Sequence, residues 1–237
     1  MDEALTLLSF GEQGWGDTIA RGVLITVSLA LASLPIGLVI GFFVALGKNS
    51  KEPSLRHAAN IYTTIFRGLP ELLTLFIVFY GGQIMVRQVA GFFVENPQIE
   101  INSFVAGMIA LSVVFSSYAS EAFLSALKAI PQGQYEAGNA LGLTRNRTML
   151  LVILPQLIRL TLPALSNLWL ILLKDTALIS VIGLPDILRE AGIAARVTKE
   201  PFLFFGTACM LFLVLAILSS VVLSWIDRWT RRGDAAR

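Results

Sequence analysis

Residues 134–155 read Gln134-Tyr135-Glu136-Ala137-Gly138-Asn139-Ala140-Leu141-Gly142-Leu143-Thr144-Arg145-Asn146-Arg147-Thr148-Met149-Leu150-Leu151-Val152-Ile153-Leu154-Pro155. This mixed stretch lies between two strongly apolar segments. Pro131 and Gln132 open it, and Tyr135 to Leu141 predicts a short helix. Gly142 can take the positive φ that stops a helix. Thr144 suits the N-cap of a second helix running into the next apolar segment. The expected product is a helix–Gly–helix elbow on one side of a membrane, with a polar outer face. A plain connector needs only a few residues, and this one is long and helical.

Composition sets the surroundings of that elbow. The chain has 237 residues, 55% apolar and 14% charged, with mean hydropathy +0.74. Soluble domains carry about a quarter charged residues, so this is a polytopic membrane protein, all-α and a single domain. One cysteine, Cys209, excludes an internal disulfide and sits in an apolar run, where it is expected to pack. One histidine, His57, lies in a basic loop. A lone Cys and a lone His build neither a zinc site nor a Cys–His nucleophile, so no metal site and no catalytic residue is expected.

Five charge-poor apolar runs mark the spans: 22–47, 72–86, 101–120, 160–173 and 201–226. The second extends backward through Ile61–Phe66 across a charged interruption, and the fourth extends back toward Thr148. With those extensions each reaches the roughly 20 residues a bilayer requires. The acidic start (Asp2, Glu3, Glu12, Asp17) is unlike a signal peptide. Residues 4–10 suggest a short interfacial helix. Gly37 and Gly41 form a small-xxx-small pair suited to close helix packing.

Loop charge orients the spans. Lys48, Lys51 and Arg56 follow the first, Lys128, Arg145 and Arg147 flank the elbow, and Arg228, Arg231, Arg232 and Arg237 end the chain. The loop after span two holds Arg87 beside Glu95 and Glu100, and the loop after span four balances its charges. Basic loops thus alternate with neutral or acidic ones. The positive-inside rule then puts the N-terminus outside, and the elbow and C-terminus in the cytoplasm.

Gly41 to Lys48 looks briefly like a phosphate loop. Its spacing is wrong, Asn49 stands where Ser or Thr is needed, and no strand precedes it. The chain therefore has no nucleotide site of its own. In span two, Arg67-Gly68-Leu69-Pro70-Glu71 interrupts the apolar run. Arg67 and Glu71 have the i, i+4 spacing of a helical ion pair, while Pro70 clashes with the carbonyl of Phe66. Two readings stay open: a kinked helix with a satisfied pair, or the wall of a translocation path with exposed backbone. Span four offers Asn167, Trp169, Lys174, Asp175, Thr176 and Ser180. Asp175 lies about 100° around the helix from Lys174, so either it faces a path or both snorkel at the interface. Glu121 and Arg159 are expected to form an interhelical ion pair that supports the elbow. Ser116, Ser117 and Tyr118 either line the path or pack.

Two sets of these residues carry a resemblance. The elbow is similar to the cytoplasmic coupling loop of ABC-importer permeases, whose pattern is Glu-Ala-Ala, three residues, Gly, nine residues, Ile, one residue, Leu-Pro. Here Glu136-Ala137-Gly138 is followed in register by Gly142, Val152 and Leu154-Pro155. Gly138 replaces the second Ala and is expected to loosen the helix by about 0.5–1 kcal/mol. Val152 replaces Ile. Arg67-Gly68-Leu69-Pro70 with Phe79-Tyr80-Gly81, and Leu173 through Ser180, resemble the polar amino acid uptake branch, the histidine, arginine, glutamine and opine permeases. The run from Asn167 to Thr176 is nearest its arginine and opine group. Where relatives carry Glu after that Asn, this chain has Leu168.

The resemblance spans about residues 18–230 and implies the type I importer permease fold, with five spans. It implies a periplasmic segment 1–17, a permease domain 18–230 with coupling loop 131–155, and a cytoplasmic tail 231–237 in the inner membrane. The implied partners are a second homologous permease (a heterodimer rather than a homodimer), two ABC ATPases and a periplasmic binding protein, with no nucleic acid. The permease is not an enzyme and binds no cofactor; ATP and Mg belong to the ATPase. Glu136, Ala137, Gly138, Gly142, Leu154 and Pro155 are expected to couple to it. Arg67, Gly68, Leu69, Pro70, Glu71, Asn167, Trp169, Asp175, Thr176 and Ser180 are expected along the path of a polar, basic amino acid or opine. The rival is a gradient-driven secondary transporter with Glu71, Glu121 and Asp175 as ion sites. It leaves the helical elbow unexplained, and inverted repeats are not evident.

Overall fold

Backbone polar groups in hydrocarbon must be satisfied within the segment, so each apolar run becomes a helix. The computed structural model describes residues 6–11, 14–92 and 100–231. Among these, five helices are long and apolar enough to cross a bilayer. They are α1 (Gly16–Lys48), α3 (Glu71–Gly91), α4 (Ser103–Ala129), α6 (Arg145–Ile182) and α8 (Pro201–Arg231). Three shorter helices lie between them: α2 (Pro53–Gly68), α5 (Gln132–Ala140) and α7 (Ile187–Thr198). Residues 4 and 5 of the expected interfacial helix lie outside the described residues. So do Asp2, Glu3, Glu12, Glu95, Arg232 and Arg237.

The centre of the bundle is α4, whose buried face carries Leu111, Phe115, Ala119 and Phe123. Its most extensive partner is α1. The expected glycine pair is what lets them meet. A Cβ on Gly37 would stand 2.6 Å from Phe115 Cδ1, and one on Gly41 would stand 3.0 Å from both the Ser116 carbonyl oxygen and Ala119 Cβ. The Ser112 hydroxyl also reaches the Ser33 carbonyl of α1, at 3.1 Å. By contrast, the most apolar window of α8 is 0% buried. Its large side chains are left for acyl chains or a partner within the bilayer.

Span two differs from the sequence reading. It is not one kinked helix. Leu69 (φ −91°, ψ 141°) and Pro70 (φ −56°, ψ 137°) are extended, so α2 stops at Gly68 and α3 starts afresh at Glu71. Pro70 has no N–H to continue the ladder and disfavours a helical residue before it. The 21 residues of α3 cover about 31 Å and span alone. Separated from it, α2 packs across α1 and α4.

Span four runs longer than its apolar core, 38 residues from the elbow to Ile182. It widens to a π turn over Met149–Ile153, just before Pro155, whose missing N–H favours a shifted register. Beyond Asp175 it tightens to a 3-10 helix over Thr176–Ile182 and ends at Gly183, with φ +97°. A smaller core joins α7 to the start of α1 and α8 around Ile19, Ile187 and Phe204. Asp186 caps α7, accepting from the Arg189 N–H at 3.0 Å.

Candidate functional site

The break in span two and the change of helix type in span four fall together. The first turn of α3 packs against the 3-10 segment after Asp175. A helix start leaves N–H groups without intrahelical acceptors, here those of Glu71, Leu72 and Leu73. Glu71 opens α3, and Asp175 immediately precedes the 3-10 segment that this first turn packs against, with Lys174 next to it in the chain. Two carboxylates, a helix N-terminus and one lysine therefore share this part of the bundle. Thr176 faces elsewhere: it is fully buried, and its hydroxyl bonds the Leu173 carbonyl at 2.7 Å. The Ser180 carbonyl accepts from Arg189 Nη1 at 3.2 Å. Trp169 packs against the main core.

Arg67 does not pair with Glu71 along one helix, because the break at Leu69–Pro70 separates them. Its Nη1 donates to Glu121 Oε1 on α4 at 2.9 Å, and its guanidinium carbon lies 5.5 Å from the Tyr118 ring centroid. The same Oε1 receives Lys48 Nζ at 2.5 Å, and Lys48 also bonds Thr63 Oγ1 at 3.1 Å. Glu121 thus takes these two cations from α1 and α2, which the sequence reading did not anticipate. Sequence reasoning missed Lys48, which looked like a loop charge. The end of a helix facing a half-buried acid on another helix leaves no local signal. Ser116 and Ser117 are buried and bond back to α4 carbonyls at 2.7 Å.

Two cavities lie along the α4–α6 seam. A constricted one, about 10 Å³, is bounded by Val114, Phe115, Tyr118, Leu168 and Asp175. A wider groove of about 510 Å³ continues past Tyr118 and Leu168 to Glu121, Ser125 and Asn167. Tyr118 and Leu168 are walls of both. Asp175 and Glu121 therefore mark successive charged stations of one largely apolar seam.

The elbow forms as its residues predict. Gly142 stops α5 with φ +73°, and the Leu143 N–H returns to the Gly138 carbonyl at 3.0 Å. Thr144 occupies the N-cap position, though its side chain makes no capping bond. Gln156 Nε2 on α6 donates to Gln134 Oε1 on α5 at 3.0 Å, fastening the two arms. Tyr135 packs on the core, and burial raises its phenol above the usual range. Glu136, Ala137 and Leu141 are exposed together, Leu141 at 79%. Pro155 is exposed and Leu154 half-buried at the start of the second arm's α-helical part.

Known proteins share this architecture. Residues 37–232 match the family described as binding-protein-dependent transport system inner membrane component. The nopaline transport system permease protein of Agrobacterium fabrum is 42% identical over 230 residues, covering 97% of this chain and 98% of that one. The arginine ABC transporter permease protein of Escherichia coli strain K12 is 37% identical over 221 residues, covering 88% and 93%. The crystal structure of an amino acid ABC transporter with histidines superposes with a TM-score of 0.75 at 32% identity, covering 90% of this chain and 94% of that one. These matches do not favour the gradient-driven alternative. The chain belongs to the binding-protein-dependent inner membrane components: it is a membrane-embedded ABC importer permease, not itself an enzyme, and works with a separate ATPase and a binding protein.

Proposed function

We propose that this permease imports a basic amino acid or an arginine-derived opine. The observation that carries the reading is the packing of the helix that Glu71 opens on the 3-10 segment that follows Asp175, where both spans lose regular geometry. Two carboxylates near one lysine favour a ligand that brings positive charge. The helix start at Glu71–Leu73 favours a carboxylate. A guanidinium amino acid offers both. Relatives named for nopaline, octopine, arginine and histidine/lysine/arginine/ornithine transport support the same class.

In this reading residues 18–230 form the permease domain. The N-terminus is periplasmic, and the elbow and C-terminus are cytoplasmic, as loop charge requires. Glu136, Ala137, Gly138 and Gly142 dock on a partner ATPase, which alone binds ATP and Mg. Leu154 and Pro155 pass the motion into α6. A second, different permease completes the path, with Arg67 through Glu71, Asn167 and Asp175 on this side of it. Closure of the ATPase dimer rocks the two permeases around the central site.

The test compares arginine with glutamine uptake in the complete complex carrying Asp175→Asn. A charge-assisted hydrogen bond contributes roughly 1.5–3 kcal/mol, so arginine should weaken about ten- to a hundredfold and glutamine little. Equal losses would make Asp175 structural and remove the basic-substrate reading. Asn146→Cys, labelled only after the membrane is permeabilised, checks the orientation.

A further inference from the structure

We propose that Tyr118 is the gate between the Asp175 site and the elbow end of the path, latched shut by Arg67, with Lys48 as the counter-ion that lets the latch release. The inference rests on the path proposed above. Its basis is the change in bore at one side chain. The space at Asp175 is about 10 Å³, room for no more than one water. Beyond Tyr118 the groove opens to about 510 Å³. An amino acid leaving Asp175 toward the elbow must displace Tyr118, Leu168 or both.

Tyr118 is held in place. The Arg67 guanidinium lies 5.5 Å from its ring centroid, a cation–π distance, and is itself fixed by Glu121 at 2.9 Å. Arg67 stands in the last turn of α2, beside the extended Leu69–Pro70 link. A Cβ on Gly68 would meet nothing within 4 Å, so no neighbouring group packs against that side of the link. The Arg67 side chain is 45% exposed, against 9% for Lys48.

Lys48 makes release possible. If Arg67 were the sole partner of Glu121, its departure would leave a half-buried carboxylate, 32% exposed, without a cation, which opposes release. Lys48 already holds the same oxygen and is tied to Thr63. Thr63 shares α2 with Arg67, so a shift of α2 that breaks the Lys48–Thr63 bond can withdraw Arg67 from the Tyr118 face while Lys48, carried on α1, stays on Glu121. One acid with two cations is what a repeatedly opened latch needs; a fixed strut needs only one.

The test reads the barrier without reference to any substrate. Val114→Cys places a thiol in the constricted cavity, in the complete complex with Cys209→Ser. A charged, membrane-impermeant methanethiosulfonate is added to inside-out vesicles. Labelling should be slow with Tyr118 present, at least tenfold faster with Tyr118→Ala, and unchanged with Tyr118→Phe, which keeps the ring. Arg67→Gln should also accelerate it severalfold. Tyr118→Leu, which removes the ring but keeps apolar bulk, serves if the alanine variant does not assemble, and should label faster too. Equal rates in Tyr118→Leu or Tyr118→Ala and the parent would overturn the gate. Lys48→Met should leave labelling slow while uptake falls, because Glu121 then lacks the lysine that stays with it when Arg67 leaves; faster labelling would overturn the counter-ion role. Absence of arginine uptake by the parent complex would sink the substrate reading and leave these rates standing.

Discussion

Gly138 on α5 lies against Thr148 at the start of α6 so closely that a Cβ would stand 2.4 Å from Thr148 Cγ2 and 3.1 Å from Thr148 Cβ. The sequence suggested that Gly138 loosens the elbow. In the structure it is the condition for closing it, since glycine alone lets the two arms touch. Gly138→Ala should spread the arms, an overpacking cost of about 1–3 kcal/mol. Uptake should fall severalfold while the protein still inserts. Adding Thr148→Ala removes the two nearest atoms and should restore part of the loss. Uptake by the single and double variants, at matched complex assembly, checks this; no rescue would place the fault elsewhere.

Glu136, Ala137 and Leu141 form an exposed face on α5 with one charge and two apolar groups. Glu136→Lys reverses that charge without touching a buried contact. Uptake should drop sharply while the permease still inserts and folds. A purified variant complex that keeps parental substrate-stimulated hydrolysis and uptake would show that this face does not transmit force.

The α1–α4 contact makes a prediction about stability. Gly41 already leaves only 3.0 Å between a notional Cβ and Ala119, so Gly41→Val must push the helices apart. The expected cost is about 1–3 kcal/mol, read as a lower unfolding temperature in detergent. A change of the same size at Gly206, where a Cβ meets nothing within 4 Å, should matter far less. Equal effects at both positions would remove close packing as the cause.

The legible parts of this molecule were those with a short-range signal. Apolar runs gave the spans, Gly142 gave the elbow, and Gly37 with Gly41 gave the tightest helix pair. Each depends on residues within one helix or turn. Pro70 announced an interruption, but how completely the helix parts depends on what α2 packs against. The Lys48 and Arg67 partners of Glu121 were missed for the same reason. Their charge alone does not single them out, and only the folded positions of α1 and α2 bring them to it. The meeting of the α3 start at Glu71 with the 3-10 segment after Asp175 links residues over a hundred positions apart, so no spacing rule reaches it.

Asp186, outside the spans, makes a prediction about pH. Its Oδ1 caps α7, but its Oδ2 is buried without a hydrogen-bond partner among the described residues. The facing groups are Arg189, which donates its backbone N–H, Glu190 on the same helix, and Thr26 with Gly22 on α1. Burial, the largest influence, and Glu190 outweigh the backbone hydrogen bonds and push the carboxyl from 3.8 up to about 6. A carboxyl raised on folding favours the protonated state, so its contribution is fully present below 3.8 and is lost as pH rises through about 6. At neutral pH the protein carries a strained charge there, on the order of 2–3 kcal/mol. Asp186→Asn keeps the capping oxygen and cannot ionise. Its unfolding temperature should match or exceed the parent's at pH 7.5, and the difference should shrink below about pH 5. Thermal unfolding of both proteins across that range decides it. A parent that is more stable than Asp186→Asn at pH 7.5 would mean that Oδ2 meets a cation or donor supplied by the assembled transporter.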